Sequence, residues 1–253
     1  ASCAGASQPS SAVTPSPSLA QASLATETSP APTAPPTTIA SPTIEAPLRS
    51  HYTLDATLDY ARHHLAVDER IAYINNSSET LTELILMVEP LYYPGTFQLD
   101  RLEWGAGEPI EGVSTETGWL RFPLKQPLAP GEGVDLALSY QLNLPSPTPS
   151  AAIRPIPFGY TERQANLVDW YPFVPPFVPE QGWLAHPAGF YGEHLVFESA
   201  DFSVSLRLAE AQPEIVIAAS AAAIRDGEWL RFEHRQARNF AFSASPYYQT
   251  ITA

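Results

Sequence analysis

Few side chains in this sequence are placed to do chemistry. His63-His64, Glu193-His194 and Glu233-His234 are the pairs in which a histidine adjoins another ligand-type residue. A helical zinc site needs two histidines at i and i+4, so that both imidazoles reach one ion. None of these pairs has that spacing, and on a strand His63 and His64 point to opposite faces. They read as surface histidines rather than metal ligands. Glu193, Glu198 and Asp201 lie close together, and glycoside hydrolysis needs two carboxylates facing one cleft. With 27 acidic residues in the chain, such proximity is expected by chance. The sequence has no Gly-x-Ser-x-Gly elbow and no phosphate-cradling glycine loop, and its single cysteine, Cys3, lies outside the foldable part. The residues point to no catalytic group, no metal site and no cofactor in this chain.

The stretch Asn166–Val204 is the other place where a site could lie. Trp170, Tyr171, Phe173, Phe177, Trp183, Phe190 and Tyr191 stand there among Pro172, Pro175, Pro176 and Pro179. Aromatic faces stack on flat ligands, so Trp170, Tyr171 and Trp183 could form a platform for a sugar or a peptide. Large aromatics more often bury area in a core or between domains. The prolines exclude one long helix or strand, and a rigid connection braced against a sheet is the reading that suits both.

The elements that must hold these residues begin after residue 47. Residues 1–47 are almost entirely Ala, Ser, Thr and Pro, with Glu27 and Glu45 the only charges and no aromatic residue. Such a segment cannot bury enough apolar surface to offset its ordering entropy, and is expected to be a disordered tether. Largely extended, it would reach roughly 100 Å or more, at about 3.1 Å per residue. At its front, Ala-Ser-Cys-Ala-Gly resembles the end of a bacterial lipobox, which would make Cys3 a lipidated residue and the chain a membrane-anchored, extracytoplasmic lipoprotein. A truncated small-residue start, or an O-glycosylated stalk, is the alternative for this composition. The net charge of -14 and the scattered basic residues argue against a nucleic-acid partner. No run of eighteen apolar residues occurs.

Residues 48–253 read as one β domain. Tyr52, Leu54, Ala56, Leu58 and Tyr60 alternate with polar residues, as do Leu65, Val67, Ile71 and Tyr73. Asn75-Asn76-Ser77-Ser78 is a turn that also contains two N-glycosylation sequons. Leu81–Val88 is dense enough in apolar residues for a strand covered on both faces. Further strands are expected at Phe97–Trp104, Trp119–Leu124, Val134–Leu144, Phe202–Leu208, Ile215–Ala219, Trp229–His234 and Phe240–Ala244, with a hairpin at Asp226-Gly227. Nothing suggests a helix longer than a turn or two. The spacing predicts an all-β sandwich.

The order of several segments adds a resemblance. Tyr52–Asp59, Leu65–Asn75 and Leu84–Val88 look like the opening of the M1 family of zinc aminopeptidases. Gln164–Pro172, Gly192-Glu193, Ala200–Val204 and Ala237–Phe240 are similar to later parts of the same amino-terminal domain in bacterial relatives. The resemblance covers about residues 50–250. It implies a saddle-like β-sandwich that packs on a thermolysin-like catalytic domain. That domain carries zinc on a His-Glu-x-x-His helix with a Gly-x-Met-Glu-Asn segment, and this sequence contains neither. Zinc is therefore expected only in a catalytic domain absent from this chain, which would shape the substrate cleft without catalysing. In the family, a Gln or Glu before an aromatic-Pro segment helps bind the substrate's free amine, and Gln164 holds the similar place ahead of Trp170-Tyr171-Pro172. A neutral amide oxygen can accept from an ammonium group. The same amide could simply stabilise a loop, and the segments Leu167–Asp169 and Val174–Pro176 depart from the family's Ala-Arg and Asp-x-Pro elements. Two rival readings have no catalytic partner: a bacterial cell-surface lipoprotein that binds a glycan or partner protein, and a structural component of an envelope assembly. A fourth reading, independent hydrolase activity, predicts turnover by the chain alone.

Overall fold

Strands form where side chains alternate most regularly, and shorter ones fill the gaps between them. A computed structural model describes residues 48–146, 158–187, 195–210 and 214–249. The tether, Cys3, Phe190, Tyr191 and the Glu193-His194 pair lie outside the described residues. In chain order the strands are β1 (His51–Asp59), β2 (His64–Ile74), β3 (Leu81–Met87), β4 (Phe97–Trp104), β5 (Ser114–Glu116), β6 (Trp119–Leu128), β7 (Gly133–Asn143) and β8 (Phe158–Tyr160). They continue with β9 (Ala165–Leu167), β10 (Phe177–Val178), β11 (Gly182–Trp183), β12 (Ala200–Leu208), β13 (Val216–Ala219), β14 (Ala223–Asp226), β15 (Trp229–Ala237) and β16 (Phe242–Ser245). Among the described residues the one helical element is a 3₁₀ turn at Glu89–Tyr92. The all-β expectation holds.

Seven strands make the large sheet, in the order β14-β15-β12-β1-β2-β7-β4. Two smaller sheets, β3-β6-β5 and β13-β16-β9-β8, and a short β10-β11 hairpin complete the set. The large sheet is polar on one face and apolar on the other. Leu54, Ala56 and Leu58 of β1, Leu65, Val67 and Ile71 of β2, and Leu136, Leu138 and Leu142 of β7 all point inward. They join one apolar cluster with Leu84, Leu86, Leu120 and Phe122 of the first small sheet, and with Phe158, Leu167 and Phe242 of the second.

The pairing of β1 with β12 is parallel, with Tyr52 opposite Phe202 and Leu58 opposite Leu208. Parallel neighbours cannot be joined by a hairpin, so the chain between Asp59 and Ala200 must return to where it began. The irregular block after β9 is the end of that return. Sequence alternation reveals strands but not this parallel seam, since the partners lie about 150 residues apart.

Two turns behave as their residues predict. Asn75 is fully buried, and its Nδ2 donates to the carbonyls of Glu79 and Leu128 at 2.8 and 2.9 Å. Its Oδ1 accepts from the amide and hydroxyl of Ser77, which is an Asx turn. The side chain of Asn75 is thereby committed to the fold. Asp226 pairs with Trp229 across the two-residue loop Gly227-Glu228, with Gly227 at a φ of 62°. A glycine with positive φ at the first loop position suits a II′ hairpin. The last strand starts two residues later than expected, at Phe242, because the backbone of Phe240 is bonded to aromatic side chains instead of to a neighbouring strand.

Candidate functional site

The block from Gln164 to Trp183 is built in three parts. Gln164 closes the β8–β9 hairpin, where the hydroxyl of Thr161 accepts from the amides of Arg163 and Gln164. Its half-buried side chain reaches toward β16. Nε2 donates to Asn166 Oδ1 at 2.9 Å, and the hydroxyl of Tyr248 approaches Oε1 at 3.4 Å. Ser243 completes the cluster, with its Oγ 2.7 Å from Asn166 Oδ1, 2.9 Å from the carbonyl of Ala165 and 2.5 Å from the Tyr248 hydroxyl. Ser243 and Tyr248 bring one hydroxyl proton each. The 2.5 Å contact between them competes with the 3.4 Å contact for the tyrosine proton, which leaves Gln164 Oε1 as the acceptor with capacity to spare. Beside it the guanidinium of Arg163 lies over the ring of exposed Tyr247.

Trp170 and Tyr171 have no free face. Both rings are buried, and Trp170 meets Tyr171 and Phe242 edge-on with centroids 5.5 Å away in each case. Trp170 Nε1 donates to the carbonyl of Phe240 at 3.1 Å, and the amide of Phe240 donates to the Tyr171 hydroxyl at 3.2 Å. Two aromatic side chains thus hold both backbone groups of one residue. Phe173 bonds in both directions to the backbone of Met87, at 2.8 and 3.0 Å, and its ring stacks on Phe197 at 4.2 Å. Prolines suit this buried irregular chain because each lacks an N–H that would need a partner. Of the two readings open for Trp170 and Tyr171, the packed brace between the sheets is the one observed, since their ring faces are already covered. Asp169 turns the chain into this brace with a φ of 55°, a left-handed conformation that Asp tolerates better than most residues.

Trp183 sits apart from them. It is half-buried on β11 and packs edge-on against Phe177 of β10 at 5.2 Å. The structure thus joins Trp170 to Tyr171, places Gln164 at the end of a small sheet, and leaves Trp183 on its own hairpin.

The outward face of the large sheet gathers residues that no spacing rule would have paired. His51 Nε2 lies 3.0 Å from Ser203 Oγ, and that hydroxyl donates to Glu233 at 3.1 Å. The carboxylate takes the serine proton directly. In a nucleophilic triad the imidazole stands between hydroxyl and carboxylate, so this order does not activate Ser203. Asp55 and Asp68 face one another across β1 and β2 and line two open depressions of about 600 and 810 Å³. Like charges placed opposite each other weaken a sheet slightly, and Arg101 lies 3.7 Å from Asp68. Of the histidine pairs, His63 stacks on Tyr160 at 3.4 Å and His64 contacts Gln141 at 3.1 Å. Among the described residues, no three His, Cys, Asp or Glu side chains converge as metal ligands.

The cluster around Gln164 was invisible in the sequence for a simple reason. Asn166 and Ser243 meet because β9 pairs with β16 in a register that places them opposite one another, 77 residues apart.

No protein-family model matches the sequence, and no curated protein matches it. Solved structures do. An M1 zinc metallopeptidase from Deinococcus radiodurans, a mutant bound to a Tyr-Ser-Ala substrate, is similar at 18% identity with a TM-score of 0.51. A two-domain M1 zinc metallopeptidase mutant bound to L-tryptophan is similar at 18% identity with a TM-score of 0.50. The match covers 78% of this chain and 42% of the other chain in each case, so this chain spans less than half the length of the proteins it resembles. The described residues have the fold of the β domain of M1 zinc metallopeptidases.

Proposed function

We propose that this domain flanks the substrate cleft of an M1-type zinc aminopeptidase, docked on a catalytic zinc domain that lies outside this chain. The shared β architecture, matched over less than half the length of the peptidases, is the observation that carries this reading. The described residues do not fit a zinc site, and zinc belongs in this reading to the catalytic domain. Gln164 would accept a hydrogen bond from the free amine of a peptide substrate. Its Oε1 is the least engaged acceptor of its cluster, and the solved relatives hold Tyr-Ser-Ala or L-tryptophan, both of which carry such an amine. Trp170 and Tyr171 would serve the site indirectly, by fixing the strand that follows Gln164. The glycan-binding alternative keeps one observation, the half-buried Phe177–Trp183 hairpin, while burial of Trp170 removes the centre of the platform. In the same reading Cys3 carries a lipid, and the tether holds the domain clear of a bacterial cell envelope.

The coding sequence downstream of Ala253 tests the reading. A continuation with Gly-x-Met-Glu-Asn and His-Glu-x-x-His, giving a product whose aminopeptidase turnover stops on chelation, is the expected result. A stop codon with no such reading frame nearby would remove the peptidase assignment.

A further inference from the structure

Every second residue of β2 enters the core, and the third of these five inward places is not apolar. Leu65, Val67, Ile71 and Tyr73 point inward, and Glu69 points inward among them with 1% of its surface exposed. Its cross-strand neighbours are Leu54 of β1 and Leu138 of β7. Neither carboxyl oxygen has a hydrogen-bond partner among the described residues, and neither does the buried hydroxyl of Tyr140. Burial pushes the Glu69 carboxyl well above 4.5; the neighbouring Tyr140 hydroxyl pulls the other way, without closing a hydrogen bond.

The groups around Glu69 are phenols rather than cations. Tyr52 comes from β1, Tyr73 from β2 itself, Tyr140 from β7 and Tyr171 from the brace. The charge of Glu69 is felt at Tyr52, Tyr140 and Tyr171. Further out, Glu198 acts on Tyr52 and Tyr73, and Asp169 on Tyr171. Arg238 and Glu198 line the small cavity beside Tyr52 and Tyr171, a cavity that Glu69 does not reach. The Tyr52 oxygen accepts from the amide of Val174, and the Tyr171 oxygen from the amide of Phe240, both at 3.2 Å. Each of these phenols, as an acceptor in that bond, keeps its own hydroxyl proton.

We propose that Glu69 is a proton-operated latch. As a neutral acid it closes the seam between the large sheet and the brace at 170–174, and its ionisation opens that seam. An isolated buried carboxylate is costly enough that the group either stays protonated or forces water in. Tyr52 and Tyr171 tie the latch to the brace, because the Tyr52 oxygen holds the brace backbone at Val174 and Tyr171, itself part of the brace, holds the backbone of Phe240. The native state binds a proton that the unfolded chain releases. The stabilisation is therefore complete below the ordinary carboxylate value of 4.5 and is lost as pH rises from there through the raised native value. This is the reverse of the usual carboxylate contribution.

The test uses the full chain and a Glu69→Gln variant, which keeps the neutral shape of the acid. Denaturant unfolding across pH 5–9 should show the folding constant of the wild type falling up to about tenfold per pH unit relative to the variant within the titration window. The amides of Val174 and Phe240 should lose hydrogen-exchange protection with rising pH faster in the wild type than in Glu69→Gln. Carboxyl-carbon NMR of the wild type needs no variant, and should show Glu69 titrating above the other glutamates. Parallel pH profiles for the two proteins, or a Glu69 signal that titrates with the exposed glutamates, would overturn the latch.

Discussion

At the scale of single residues, Tyr52, Trp170 and Tyr171 act as hydrogen-bonding struts as well as core packing. Trp170 is enclosed and donates to a backbone carbonyl, so Trp170→Ala should destabilise the chain by about 3–5 kcal/mol in denaturant unfolding. Trp183→Ala, on its half-buried hairpin, should cost about 1–2 kcal/mol. Equal losses would contradict the division between brace and hairpin. Tyr171→Phe keeps the ring and removes the acceptor of the Phe240 amide. An unsatisfied buried donor costs about 1–3 kcal/mol, and exchange of that amide should accelerate in the variant. Such roles are hard to read from composition, because a core tryptophan and a ligand-stacking tryptophan have the same sequence signature. Only the partners distinguish them, and the partner of Trp170 lies 70 residues away.

At the scale of elements, the long strands were legible and the short ones were not. Strands β1, β2, β7 and β12 each carry four or more inward residues in alternation, which is enough to establish a period of two. Strands β8 to β11 have two or three residues, too few for a period, and their existence depends on neighbours supplied by the tertiary fold. The candidate site lies among these short strands, which is why its surroundings were less visible than the core. Gln164 could be picked out only through the family resemblance, by its place before the aromatic-proline segment, whereas Asn166, Ser243 and Tyr248 could not. One glycine marks how tightly β8 is held. Gly159 has a φ of 131°, and a Cβ there would stand 2.4 Å from the carbonyl oxygen of Pro145. That oxygen also accepts from the amide of Tyr160. Gly159→Ala should destabilise by more than about 1 kcal/mol, since the backbone cannot give way as a side chain would. A neutral outcome by thermal unfolding would mean that β8 is not fixed to the chain leaving β7.

At the scale of the whole molecule, the parallel pairing of β1 with β12 ties the first strand of the domain to the strand on which the long return of the chain ends. The β3-β6-β5 sheet and the Gln164 hairpin lie within that closure, while β13 and β16 come after it and pair back onto the hairpin, so the candidate site is positioned by the entire fold rather than by a local motif. The same architecture in M1 zinc metallopeptidases accompanies additional chain, more than half of those proteins. If residues 1–47 are a lipoprotein tether, mass spectrometry of the native amino terminus should find Cys3 acylated, and an unmodified cysteine would separate the domain from the membrane. The central claim concerns the substrate amine, and kinetics on the intact gene product test it most directly. Hydrogen bonds to charged groups are worth about 1.5–3 kcal/mol, or roughly ten- to a hundredfold in a rate or binding constant. The account predicts that Gln164→Ala lowers kcat/KM for a substrate with a free amino terminus by that factor, while thermal unfolding shows the domain still folded. Unchanged kcat/KM in a folded Gln164→Ala protein would contradict it.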